Sequence, residues 1–163
     1  MAVFAIRNEQ VMLPPEFVIE AMQESDIEKI MVIERQVQEC PWNEKIFVDC
    51  LKVGYQGYLI RHNVSRQIVC FSFYSFAADE CHVLNLATDT AFQRQGFAKI
   101  LLQYCLEIYR QKNITRCYLE VRESNLIARE LYENLGFTIA GIRRDYYPTS
   151  DGREDALVMS LVV

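Results

Sequence analysis

Three places in the sequence combine residue types and spacings that can do chemistry. The first is Gln93-Arg94-Gln95-Gly96-Phe97-Ala98, which lies between a strand-like and a helix-like segment. A glycine there lets a ligand approach the backbone closely, and the free amides at a helix start attract anions. With Arg94 and Lys99 adding charge, such a loop can cradle a pyrophosphate, although a glycine ahead of a helix is also a common structural choice. It is neither a Walker loop nor a dinucleotide fingerprint, because the glycine spacing and the lysine–serine pair are missing. The second place is Glu120, in the middle of Cys117-Tyr118-Leu119-Glu120-Val121. Strand alternation puts Cys117, Leu119 and Val121 on one face and Tyr118 and Glu120 on the other. A carboxylate in mid-strand is unusual; its plain alternative is pairing with an arginine such as Arg122 or Arg129. The third is Asn125 with Tyr132, two helical turns apart and able to face one side of a helix. A core tyrosine whose hydroxyl finds a backbone partner is the plain alternative for Tyr132.

The six cysteines, at 40, 50, 70, 81, 105 and 117, form no CxxC pair, and His62 and His82 do not space with them as zinc ligands would. No metal site is expected. They read as buried, reduced thiols of a cytoplasmic protein. Arg7 and Glu9 follow too short an apolar run for a signal peptide. No apolar stretch approaches the roughly 18 residues of a membrane span.

The elements that must hold these groups follow from periodicity. Residues 1–15, ending in Pro14-Pro15, read as a loosely held lead-in, and residues 16–163 as one domain. Phe17–Met22 reads as a strand. Ser25-Asp26-Ile27-Glu28 reads as a capping box opening a helix to about Gln38, with Ile27, Ile30, Met31 and Val37 at helical spacing. A shorter helix is expected from Asn43 to Lys52. Three strands follow at Tyr58–Arg61, Gln67–Phe76 and Cys81–Ala87, the last two joined as a hairpin. The helix after Gly96 carries Ala98, Leu101, Leu102, Cys105, Ile108 and Tyr109 on one stripe. Arg116–Val121 is a strand, Asn125–Leu135 a helix stopped by Gly136, and Thr138–Tyr146 and Asp155–Val162 are strands around a Pro148–Gly152 turn. The order is β α α β β β α β α β β, an α/β domain.

Together these segments resemble the GNAT acetyltransferases, whose acetyl-CoA loop has the form (Q/R)xxGx(G/A). Within that superfamily the likeness is to the ribosomal-protein-alanine N-acetyltransferase (RimI) family. It is carried by Cys40-Pro41-Trp42-Asn43-Glu44, by Leu119 through Asn125, by Leu131 through Phe137, and by Arg143 through Thr149 continuing to Asp151 through Ala156. It covers about residues 17–162. The resemblance implies a single GNAT domain with a mixed, mostly antiparallel central sheet flanked by helices. It implies that Leu86, Ala87 and Thr88 offer backbone groups to the acetyl-pantetheine arm. It implies that Arg94, Gln95, Gly96, Phe97, Ala98 and Lys99 cradle the pyrophosphate and that Asn125 touches the arm. Glu120 would be the general base and Tyr132 the general acid. Trp42, Tyr146 and Tyr147 would contact the acceptor. The implied reaction is transfer of acetyl from acetyl-CoA to the N-terminal alanine of small-subunit ribosomal protein eighteen. Another protein terminus, a lysine or a small amine is the alternative acceptor, and a silent acetyl-CoA-binding module the alternative class.

The chemistry suits these residues. An α-amino group titrates near 7.7–8.0 and a lysine near 10.4, so a carboxylate such as Glu120 deprotonates the former more cheaply. A backbone amide near Ala87 is the candidate donor to the carbonyl oxygen as it gains charge. Tyr132, near 10, lies above a thiol's ~8.5, so it is expected to hydrogen-bond the departing thiolate and give up its proton late. A cysteine acyl-enzyme is disfavoured, since neither Cys105 nor Cys117 has a histidine partner in sequence and both have apolar neighbours.

The net charge of -5 excludes a generic nucleic-acid binder. Residues 1–60 hold five basic and ten acidic side chains, and residues 61–115, which include the loop, hold six basic and four acidic. That asymmetry suggests one surface for a polyanionic co-substrate and another for a cationic peptide, with added salt weakening peptide capture. No membrane partner is expected, and a monomer is favoured.

Overall fold

The computed structural model describes residues 12–163. The strands are β1 (Phe17–Ala21), β2 (Gln56–His62), β3 (Ile68–Ala77), β4 (Glu80–Thr88), β5 (Arg116–Arg122), β6 (Thr138–Thr149) and β7 (Gly152–Val162). The helices are α1 (Ile27–Val37), α2 (Glu44–Lys52), α3 (Phe97–Gln111) and α4 (Leu126–Asn134). The order along the chain is the expected one. The strands form one sheet, β1-β2-β3-β4-β5-β7-β6, in which only β4 and β5 run parallel. The crossover through α3 makes that pair parallel, whereas the short connections elsewhere make antiparallel neighbours.

The apolar stripes bury against both faces of the sheet. The α3 stripe and Tyr132 of α4 pack on one face with Ile60, Val69, Tyr74 and Leu119. Ile27, Ile30 and Met31 of α1 and Phe47 of α2 pack on the other, with Leu59, Phe71 and Phe73.

Several details differ from expectation. A short 3-10 turn, Glu24–Asp26, precedes α1, so Ser25 and Glu28 do not form the capping box. The cap is made instead by Asp26, whose Oδ2 accepts from the Gln23 amide at 3.0 Å while its Oδ1 accepts from buried Arg61 at 2.6 Å. β6 and β7 are longer than their apolar runs, because hairpin pairing carries the ladder through polar residues to Thr149↔Gly152. Cys70, Cys81, Cys105 and Cys117 are buried and Cys50 partly so, but Cys40 is exposed. Residues 1–11 of the expected lead-in lie outside the described residues. Of its remainder, Pro15 is tied by its carbonyl to Asn63 Nδ2 at 3.0 Å. No helix among the described residues is long and apolar enough to cross a membrane.

Two features of the sheet shape the site. β4 and β5 pair over only four residues, from Glu80↔Arg116 to Val83↔Leu119, and then part. Just there β4 carries a bulge: Phe73 faces Asn85 and Tyr74 faces Val83, leaving Leu84 as the extra residue. A bulge shifts the alternation of side chains by one. Val83 therefore packs on the α3 side, while Asn85 turns to α1 and donates to Glu34.

Candidate active site

A cavity of about 200 Å³ opens where β4 and β5 part. Its walls are Val83–Leu86 of β4, Leu119–Arg122 of β5, Asn125, Ala128 and Tyr132 at α4, Glu34, Gln38 and Trp42 around the end of α1, and Tyr147 of β6. The structure thus brings Glu120, Tyr132, Asn125, Leu86, Trp42 and Tyr147 to one space. Tyr146 does not line it; it is 38% exposed and reaches the Glu120 carboxylate from outside. Ala87, Thr88 and residues 94–99 lie beyond the cavity, past the parting of the strands.

Each side chain is set by its own local structure. Asn125 is the N-cap of α4, its Oδ1 accepting from the Ala128 amide at 3.1 Å, which leaves its Nδ2 group available. Tyr132 sits at the other end of that helix. The Phe137 amide donates to the Tyr132 carbonyl and the Gly136 amide to that of Glu133, with Gly136 at φ 94. This is a Schellman closure, and its usual apolar contact is the Phe137 ring 5.8 Å from that of Tyr132. The tyrosine is 8% exposed, and burial pushes its hydroxyl above the ordinary phenol value.

Glu120 stands across from it on β5. Its Oε1 forms an ion pair with Arg143, the Nε lying 2.8 Å away. The expected arginine partners are otherwise engaged. Arg122 bonds Glu154 at 2.6 Å and the Pro148 carbonyl at 3.0 Å, and its guanidinium lies 4.6 Å from the Tyr147 ring centroid. Arg129 donates to the Glu123 carbonyl. Arg143 arrives instead from β6, and covers the Tyr146 ring at 5.3 Å. The hydrogen bond to Glu120, then burial, lifts the Tyr146 hydroxyl. Burial, then the nearby Glu120 charge, lifts Tyr147 to about 12.

Beyond Val83 the β5-facing edge of β4 has no strand partner among the described residues, which leaves backbone groups around Leu86–Thr88 open to a ligand. Thr88 Oγ1 itself donates to Cys70 Sγ at 3.3 Å. The Thr88 carbonyl accepts from Gln93 Nε2 at 3.2 Å, tying the strand end to the loop. In that loop Arg94 has φ 63 and Gly96 φ 87. Left-handed residues beside a helix start turn successive amides inward as an anion nest. Gly96 caps α3 without a side-chain bond, and the first helical acceptor bond is from Ile100 to Gly96 at 3.0 Å. The amides of Phe97, Ala98 and Lys99 are therefore the helix's unpaired donors. The Phe97 side chain is core, 3% exposed, so only its backbone is offered. Arg94 and Lys99 enter no ion pair among the described residues. An open strand edge followed by a nest with two free cations fits a long molecule ending in a diphosphate.

The charge asymmetry is smaller on the surface than in the sequence. Arg61 and Arg66 are spent on Glu20 and Asp26, and Arg122 on Glu39 and Glu154. A cysteine nucleophile is disfavoured by environment: burial lifts Cys105 to about 12, and donating to Cys81, then burial, raises Cys117. Four neighbours of the site went unread in sequence: Arg143, Glu34 and Asn85, which bond each other in the cavity wall, and Arg153. The last, by bonding the carbonyls of Asp145 (2.5 Å) and Tyr146 (2.8 Å), holds the bulge that precedes Tyr147.

Comparison with known proteins agrees with this geometry. Residues 33–137 match the Acetyltransferase (GNAT) family. The [ribosomal protein bS18]-alanine N-acetyltransferase of Escherichia coli (strain K12) is 36% identical over 145 residues, covering 89% of this chain and 97% of that protein. The crystal structure of the ribosomal-protein-S18-alanine N-acetyltransferase from Escherichia coli superposes with a TM-score of 0.85 at 35% identity, over 90% of this chain and 94% of that one. Ard1 from Thermoplasma volcanium gives a TM-score of 0.81 at 25% identity, over 91% and 98%. The chain is thus an N-acetyltransferase with acetyl-CoA as co-substrate, and it belongs to the ribosomal-protein-alanine N-acetyltransferase family of the GNAT acetyltransferases.

Proposed function

We propose that this enzyme acetylates the N-terminal alanine of ribosomal protein bS18, with the fork between β4 and β5 as the place of reaction. The observation that carries the reading is that Glu120 and Tyr132 line one cavity at that fork, in a chain that matches almost the whole length of a relative so named. Acetyl-CoA, when bound, supplies an acetyl group activated as a thioester. The nest at Arg94–Lys99 holds its diphosphate, and the open edge at Leu86, Ala87 and Thr88, with Asn125, holds its arm. Trp42, Tyr146 and Tyr147 form the acceptor side.

Glu120 takes the proton from the incoming α-ammonium. Its carboxylate is shared with Arg143, which is 54% exposed at its side chain and held by little else, so the ammonium displaces one cation with another. An α-amino group needs little help near neutrality, whereas a lysine needs about two to three pH units more. Tyr132 hydrogen-bonds the leaving sulfur. Because burial has raised its hydroxyl further above a thiol, complete proton transfer is costlier than ordinary values imply, and the tyrosine acts first as a donor. Replacing Tyr132 by Phe is expected to lower kcat by roughly 10- to 100-fold. Acetyl-CoA affinity, read by calorimetry, should stay within about threefold. An unchanged kcat removes the assignment.

The enzyme is proposed to act as a cytoplasmic monomer on the peptide without touching nucleic acid, its net charge of -5 disfavouring an extended polyphosphate backbone. Incubation with acetyl-CoA and a ribosomal-protein extract, followed by intact-mass analysis, tests the acceptor. One added acetyl group on bS18 supports the reading, and its appearance only on another protein overturns it.

A further inference from the structure

No step above uses Glu34. It is 0% exposed, sits on α1 over β4, and has no cationic partner among the described residues. A buried carboxylate is tolerated only when its oxygens are bonded. Its Oε1 accepts from the Trp42 backbone amide at 2.9 Å and its Oε2 from Asn85 Nδ2 at 3.0 Å. Asn85 Oδ1 in turn accepts from Gln38 Nε2 at 3.2 Å. All four residues line the cavity, Trp42 on the turn between α1 and α2 and Asn85 on the fork strand.

The polarity of this chain is dictated from one end. Only a group that accepts twice satisfies both the Trp42 amide and Asn85 Nδ2. With Nδ2 committed there, Asn85 must turn its carbonyl to Gln38, and Gln38 must spend its amide hydrogen on Asn85. Among the described residues the Gln38 atom left unbonded is Oε1, an acceptor. An N-terminal substrate brings donors: its ammonium and its first backbone amides. Burial outweighs the bonds from Trp42 and Asn85 and leaves the Glu34 carboxyl above the ordinary 4.5, although each of those two bonds favours its charged form.

We propose that Glu34 is a positioning residue for the acceptor: it clamps the Trp42 turn to β4 and sets the polarity of Asn85 and Gln38, leaving Gln38 Oε1 to accept from the peptide terminus. This rests on the reading that the Trp42 side of the cavity receives an N-terminal peptide.

The test exchanges the charge without losing a bond. In Glu34→Gln the new amide meets Asn85 donor to donor, so Asn85 must invert and release Gln38. The KM for a peptide beginning with the bS18 alanine should rise about tenfold, the effect of one lost charge-assisted hydrogen bond. The kcat and the acetyl-CoA dissociation constant should stay within roughly threefold. Adding Asn85→Asp lets the amide at position 34 donate to a carboxylate at position 85, which still accepts from Gln38, while the Trp42 amide keeps its acceptor. The double variant should return KM to within about twofold of wild type. An unchanged KM in Glu34→Gln overturns the proposal. So does damage that the double variant fails to repair, or an equal loss of acetyl-CoA affinity. A Glu34→Gln protein that does not fold leaves the double variant to decide by the same KM. A wild-type enzyme inactive on the alanine peptide overturns the acceptor reading, and this proposal with it; an active wild type beside an unaltered variant overturns this proposal alone.

Discussion

Glu120→Gln is expected to lower kcat at pH 7 by about 10²–10³-fold, within the range for loss of a general base. Glutamine keeps the size of the side chain and an oxygen facing Arg143, so the cavity keeps its shape. The ion pair it removes is partly exposed, with side chains 54% and 27% accessible. Such pairs contribute about 0–1 kcal/mol, so thermal stability should barely move. The deficit should also depend on pH. Below the α-amino value of about 7.7–8.0 nearly all acceptor is protonated and the base is needed. Above it, neutral amine accumulates without help, so the gap between variant and wild type should narrow towards pH 9. Steady-state kinetics on an N-terminal alanine peptide across that interval decide the matter. A kcat within threefold of wild type at pH 7, or a gap that widens with pH, would remove Glu120 from the role.

The largest loss of stability is expected from Arg61→Ala, far from the chemistry. Arg61 is 4% exposed and bonds Asp26 at 2.6 Å, Glu20 at 2.9 Å and the Arg66 carbonyl at 3.2 Å. Removing it strands Asp26, itself 8% exposed, without its cation. Breaking one side of a buried pair costs about 3–5 kcal/mol. For a domain of this size that is a fall in Tm of roughly 10 °C. The pH dependence has a definite sign. Burial pushes Glu20 up, but its bonds from Arg61 and Arg66 more than reverse this and leave it below the ordinary 4.5. Its contribution is therefore full above about pH 4.5 and lost as the pH falls through the lower folded value. The variant should lose less stability than wild type on acidification over that interval. Thermal melts at pH 7 and pH 4 read both effects, and parallel loss in the two proteins would contradict the ion-pair account.

The elements were legible because their periods are strong. The stripe from Ala98 to Tyr109 has the period of a helix, and the apolar runs between 58 and 87 read as strands. Strand alternation gave Glu120 its face and helical spacing gave Tyr132 its own beside Asn125; that the two act as a pair came only from the resemblance. Partners that depend on pairing across the sheet were not legible. Arg143 reaches Glu120 because β6 lies beyond β7, and nothing in the local sequence gives that neighbour. The bulge at Leu84 was hidden for the same reason, since register is a property of two strands. Glu34 is different. It falls on the stripe Ile27, Ile30, Met31, Glu34, and a charged residue at the fourth position of a buried face was a visible signal of a satisfied internal carboxylate.

The parting of β4 and β5 after Val83↔Leu119 behaves like the slider of a zipper stopped partway. The residues proposed to react meet where the teeth cease to engage, so their location is metered by the backbone ladder in steps of about 3.3 Å. A substitution that let the strands close by one further pair would add hydrogen bonds and erase the opening together. Such a protein would be firmer than wild type and inert, and a search for hardier variants would select against activity at this one seam.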